Sequence, residues 1–130
     1  MPAQERKIQA PQPNPETQAF WKAAEEGKLM IGKCTACGAV HYYPRAICPF
    51  CFSDKTGLQQ ASGNGTVYTY SVMRRAPIPY AIAYVTLNEG PTMMTNIVDC
   101  DFATLKIGQP VKLKFVPSEN GPPMPMFTPA

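Results

Sequence analysis

Fifteen prolines, two Cys-x-x-Cys pairs, and a glycine-interrupted run of aromatic and β-branched residues predict a mainly β protein. The expected order is an N-terminal helix, a zinc ribbon and a small β-barrel of OB type. So many prolines argue against a helical protein, because each interior proline removes a hydrogen bond and clashes with the preceding turn. The pairs Cys34/Cys37 and Cys48/Cys51 stand ten residues apart and use four of the five cysteines. Two tight turns at that spacing aim four thiolates at one point, as a tetrahedral structural metal site requires. Structural Zn²⁺ is the expected metal, and iron on the same four sulfurs, serving electron transfer, is the alternative.

A chain of 130 residues is one domain, or a small domain with an appended module. The expected boundaries are a flexible arm at 1–14, a docking helix and zinc ribbon at 15–55, an OB-fold at 56–117 and a proline-rich tail at 118–130. No apolar run approaches membrane-spanning length, and 1–12 lacks a signal-peptide pattern. A cytoplasmic location is therefore expected, and disulfides are the poorer reading of an odd number of cysteines. The formal charge of +3 falls to +1 once four thiolates and a divalent ion are counted, which is no magnet for nucleic acid. With 45% hydrophobic and only 16% charged residues, part of the surface is expected to be covered by another protein.

In chain order, Asn14 can cap a helix, Pro15 suits its first position, and Glu16 faces the positive end of the dipole. The helix should stop at Gly27. Phe20 and Trp21 are its main apolar content, too little to hold it in water alone. They either cover the chain's own core or anchor the helix on a second subunit. Gly38 supplies the permissive backbone that the first metal knuckle needs, whereas the second has Phe52 at the equivalent place. Between the knuckles Val40 to Arg45 reads as a short strand and turn. His41, the single histidine, is expected to be exposed or hydrogen-bonded rather than a ligand.

Leu58 to Ala61 and Thr66 to Met73 read as one long strand bent at Ser62 to Gly65. Alternation there sets Tyr68, Tyr70 and Val72 opposite Val67, Thr69 and Ser71. After a proline-stiffened loop, Tyr80 to Leu87 reads as a central strand, and Asn88-Glu89-Gly90 turns it into a hairpin with Pro91 to Val98. Asp101 to Leu105 looks like one helical turn, and Val111, Leu113 and Phe115 mark a last strand with one wet face. A coiled first strand, a hairpin, a helical turn and another strand outline an OB-type barrel, with a sandwich fragment as the alternative.

The ordered set of motifs carries a resemblance. The helix with Phe20-Trp21, Gly27-Lys28-Leu29, Cys34-x-x-Cys37-Gly38, Tyr43-Pro44-Arg45, Cys48-Pro49-x-Cys51, Gly63-x-Gly65 through Ser71, and Gly108-Gln109-Pro110-Val111 resembles the acyl-CoA-associated family. Its members join a helical segment and a rubredoxin-like zinc ribbon to an OB-fold. The resemblance implies a non-catalytic accessory subunit, in a hetero-oligomer with a thiolase, thiolase-like aldolase or acyltransferase. The partner's own residues would make or break the carbon–carbon bond of an acyl-CoA, for example in degradation of aromatic acids or steroid side chains.

The residues themselves offer little catalysis. Nucleophilic chemistry wants a free thiol or hydroxyl beside a base, yet the one spare cysteine, Cys100, sits between Asp99 and Asp101, whose charges disfavour a thiolate. For a CoA thioester, Arg45, Arg74 and Arg75 could meet phosphates, and Tyr68, Tyr70 or Tyr80 could face adenine. Met93 and Met94 could line an acyl channel, or Arg74 and Arg75 could be solvated and the others packed. A nucleic-acid-binding ribbon and OB module is the competing reading, disfavoured by the near-neutral charge.

Overall fold

Reciprocal capping sets where the helix starts. The computed structural model describes residues 6–130. The Thr17 N–H donates to Asn14 Oδ1 and the Asn14 N–H donates to Thr17 Oγ1, both at 3.0 Å. Pro15 and Glu16 are thereby held in a turn, and α1 spans Gln18–Glu25. Gly27, at φ +78°, ends it as the sequence predicts. Phe20 and Trp21 are 1% and 5% exposed, so they seal the chain's own core and are not surface anchors for a partner.

The ribbon is a three-stranded sheet in the order β2-β1-β3, from β1 (Met30–Cys34), β2 (Val40–His41) and β3 (Thr56–Gln60). The sequence gives no alternation at β1; flanking strands on both sides create it. Gly32 lies opposite His41 in register, and a Cβ there would come within 2.1 Å of the imidazole. His41 is therefore packed against the bare backbone of Gly32, not exposed.

The predicted long bent strand is two strands. The chain does turn at Ala61 to Gly63, but β3 belongs to the ribbon while β4 (Asn64–Met73) enters a closed barrel of order β4-β5-β6-β8-β7. The other barrel strands are β5 (Tyr80–Leu87), β6 (Thr92–Ile97), β7 (Pro110–Ser118) and β8 (Gly121–Pro129), with a 3₁₀ turn at Phe102–Thr104. A bulge between Val67 and Thr69 breaks the expected alternation of β4. Val67 is consequently buried, Tyr68 faces out, and Tyr70 turns in to donate from its hydroxyl to the Leu105 carbonyl at 2.8 Å.

The proline-rich tail is instead the closing strand of the barrel. β8 pairs with β7 from Ser118↔Gly121 to Val111↔Pro129 and buries Phe127 completely. Its prolines are tolerated because β8 meets β6 at the single pair Ile97↔Phe127, leaving few N–H groups required on that side. The arm also differs from expectation within the described residues. The Ile8 carbonyl accepts from the Glu119 N–H at 2.9 Å, and the Arg6 guanidinium lies 4.0 Å from the Tyr80 ring centre and bonds Asn96 Oδ1. One continuous core runs from Phe20, Trp21 and Ile31 through Val67, Val85 and Met93 to Phe127.

Candidate metal centre and its surroundings

Two turns of matching backbone present the four cysteines. In the first, the Gly38 N–H donates to the Cys34 carbonyl at 2.9 Å and the Cys34 N–H to the Ala39 carbonyl at 3.0 Å. In the second, the Phe52 N–H donates to the Cys48 carbonyl at 3.0 Å and the Cys48 N–H to the Ser53 carbonyl at 2.8 Å. The Thr35 N–H crosses to the Lys55 carbonyl at 2.9 Å and locks one turn beside the other. Matching positions have φ +78° at Gly38 and +65° at Phe52. The left-handed region costs a residue with a Cβ roughly 1–2 kcal/mol.

All four Sγ atoms lie within 4.8 Å of one another, with Cys34–Cys51 at 3.6 Å and Cys37–Cys48 at 3.8 Å. Sulfurs held ~2.3 Å from a tetrahedral zinc stand about 3.8 Å apart, so the donor set fits that ion. Cys34 and Cys48 are buried, whereas Cys37 and Cys51 reach the surface.

Charge balance points the same way. The Cys37 N–H, opposed by burial and helped by the Ala36 N–H, lowers the Cys34 thiol below its ordinary value. At Cys48 the Cys51 N–H, again against burial and with the Phe50 N–H, brings it to about 6. Cys51 goes the other way: the Ser53 N–H favours its thiolate, but burial and the sulfurs of Cys34, Cys37 and Cys48 together push it up to about 12. Backbone groups thus invite thiolates that repel one another, a conflict that a divalent cation at their centre removes.

The remaining candidates differ in exposure. Arg45, Arg74, Arg75 and Tyr68 are exposed, and Met93 fills the barrel core. Met94 is 61% exposed on the outer face of β6 and lines a cavity of about 240 Å³ with Tyr42, Tyr80 and Met126. A second cavity, about 390 Å³, is lined by Ile78, Tyr80, Cys100, Phe102 and Phe115. Arg6 borders both, a contribution that sequence reasoning missed because the arm has no periodicity. Burial, then Asp101 and Asp99, raises the Cys100 thiol, which suits packing better than nucleophilic attack.

Comparison with known proteins is consistent along the chain. Residues 21–57 match the ChsH2 rubredoxin-like zinc ribbon domain and residues 58–116 the ChsH2 C-terminal OB-fold domain. A DUF35 domain-containing scaffold protein of Methanocaldococcus jannaschii is 39% identical over 104 residues, covering 73% of each chain. The chain belongs to the DUF35 family, with a ChsH2-type zinc ribbon and OB-fold.

Further relatives of this DUF35 chain are larger or part of assemblies. A probable enoyl-CoA hydratase alpha subunit of Thermomonospora curvata is 35% identical over 97% of this chain, which spans 42% of that protein's length. A chain in the solved structure of an Ltp2–ChsH2(DUF35) aldolase superposes with a TM-score of 0.83 and 32% identity, covering 92% of this chain and 98% of that one. Among the described residues no helix is long and apolar enough to cross a membrane.

Proposed function

We propose that this chain is a non-catalytic accessory subunit of a thiolase-fold acyl-CoA enzyme, stabilising its partner and helping it handle the CoA thioester during carbon–carbon bond cleavage or formation. The observation that carries the reading is the likeness to a chain of the Ltp2–ChsH2(DUF35) aldolase along nearly its whole length. The chain's own chemistry supports a helper role. His41 is 5% exposed beneath its own fold, and Cys100, the cysteine outside the metal set, has its thiol form favoured. A nucleophile needs a base within hydrogen-bond reach, and these two groups are not so arranged.

Zn²⁺ on Cys34, Cys37, Cys48 and Cys51 would be a structural staple, supplying folding energy to a ribbon too small to hold itself. The aromatic contacts of α1 would then be fixed relative to the barrel, presenting one rigid body to the partner.

The test is co-purification of the tagged chain from its native host, followed by assay of the associated thiolase-fold protein with and without it. The expected result is a stable hetero-oligomer whose thioester activity or stability falls when this chain is removed. A chain recovered only by itself, with no effect on a thiolase-fold enzyme, rejects the proposal.

A further inference from the structure

The two metal knuckles share one hydrogen-bonding pattern and differ at one position, where glycine stands in the first and phenylalanine in the second. Phe52 occupies the left-handed region that favours glycine, at φ +65°. Its ring is 78% exposed, so burial inside the chain does not offset that strain. Backbone strain with no internal compensation is a reason to look for function.

Two further apolar side chains of the same knuckle are also exposed, Phe50 at 62% and Ile47 at 49%. From Ala46 to Ser53 there is no charged side chain apart from the metal-binding thiolates. Arg45 lies on one flank and Asp54 with Lys55 on the other, all exposed. An uncharged apolar centre with a polar rim of both signs is the anatomy of a protein–protein contact, whereas nucleic acid would call for a basic rim.

We propose that Ile47, Phe50 and Phe52, held at the tip of the second knuckle, form the surface that docks on the thiolase-fold catalytic subunit. This rests on the accessory-subunit reading above. Taking ~200 Å² for a large side chain, the three expose roughly 350 Å² of apolar surface. A standard interface buries ~800 Å² on each partner, so this tip would form its centre and not its whole extent. Metal coordination of the flanking cysteines would hold the two rings in place before binding, reducing the entropy lost on assembly. The complementary feature on the partner is an apolar hollow able to take two phenyl rings.

The experiment uses the thiolase-fold protein identified by co-purification, prepared separately and titrated with the zinc-loaded chain. Phe52→Gly relieves the backbone strain while removing the ring. Its isolated chain should keep the wild-type zinc content and unfold at the same or a higher temperature, yet bind the partner at least tenfold more weakly. Phe50→Ala should weaken binding similarly, and Ile107→Ser, at a 70% exposed side chain elsewhere, should leave affinity unchanged. Wild-type affinity in both phenylalanine variants overturns this surface while sparing the accessory role. If the wild-type chain binds no thiolase-fold protein, both readings fall together. Salt-sensitive binding of mixed-sequence single-stranded DNA that Phe52→Gly abolishes would overturn the surface assignment in favour of nucleic acid.

Discussion

The indole N–H of Trp21 donates to the Tyr43 hydroxyl at 3.0 Å, latching α1 to the ribbon from inside the core. Phe20 joins the latch edge-on, its ring centre 4.8 Å from Trp21 and 5.3 Å from Tyr43. At the surface, Glu16 Oε2 accepts from the Ala46 N–H and makes a second tie between the same two segments. The loop that joins the knuckles therefore helps to set the position of the helix, alongside its packing against β8 and β1.

Replacing Trp21 by Phe keeps an aromatic ring and removes the donor. The expected loss is about 2 kcal/mol, of which ~1 kcal/mol is the usual net value of such a bond and the rest the space left by the smaller ring. Urea unfolding of the zinc-loaded chain measures it, with zinc content unchanged. Equal midpoints for the two proteins would mean that neither the bond nor the indole's extra packing contributes.

The last strand gives the second prediction. Because Phe127 is fully buried and β8 closes the barrel, Phe127→Ala should cost about 3–5 kcal/mol. Deleting 119–130 should prevent cooperative folding altogether, as followed by circular dichroism and thermal melting. A truncated chain that melts like the full one would restore the view of this segment as an appendage.

How far the sequence could be read depended on whether the signal was local. The two cysteine turns, Gly27 at the helix end, β5, β6 and the 3₁₀ turn are legible because each is specified by residues within a few positions. The role of β8 was not, since Pro122, Pro123, Pro125 and Pro129 are read correctly as poor strand formers, and only the sparse pairing with β6 tolerates them. Likewise Met-Ile-Gly-Lys-Cys becomes β1 through its two neighbours. The bulge at Val67/Thr69 separated Tyr68 from Tyr70, and no short-range pattern announces a single shifted residue. Of the site, the metal ligands were evident from spacing; the CoA candidates were chosen by residue type, and of them Tyr80 and Met94 line one cavity while Met93 is buried in the core.

His41 provides a pH prediction. Burial first, and then the Arg45 charge, lower its pKa from the ordinary value of 6.5, and among the described residues neither ring nitrogen has a hydrogen-bond partner. The fold thus holds imidazole neutral. The stabilisation is fully present above the unfolded value of 6.5 and is lost as pH falls from there through the lower folded pKa, because the unfolded chain takes up the proton first. His41→Gln should be less stable at neutral pH but show a shallower decline towards pH ~5.5, measured by urea midpoints across that window. Parallel profiles for the two proteins would exclude His41 as a source of acid sensitivity, since the thiolates titrate in both.

The metal centre gives the prediction with the widest consequences. Cys48 lies buried with its thiolate favoured by the Cys51 and Phe50 N–H groups, so Cys48→Ser removes a donor that the backbone prepares for a metal. Structural zinc contributes about 10–16 kcal/mol to comparable small sites, more than a domain of this size normally has in reserve. Loss of the metal should therefore release the ribbon, and with it the Tyr43 hydroxyl that holds Trp21. Metal analysis should find about one zinc per wild-type chain and far less in Cys48→Ser, with tryptophan fluorescence shifting to the red as the indole meets water. Cys100→Ser should retain both the zinc and the native emission, because that thiol lies outside the cluster and only approaches the Ile97 carbonyl, at 3.9 Å. Chelation of the wild-type protein should reproduce the Cys48→Ser spectrum. If Trp21 instead stays buried after complete removal of zinc, the helix is held by the barrel alone and the ribbon is a passenger on the fold.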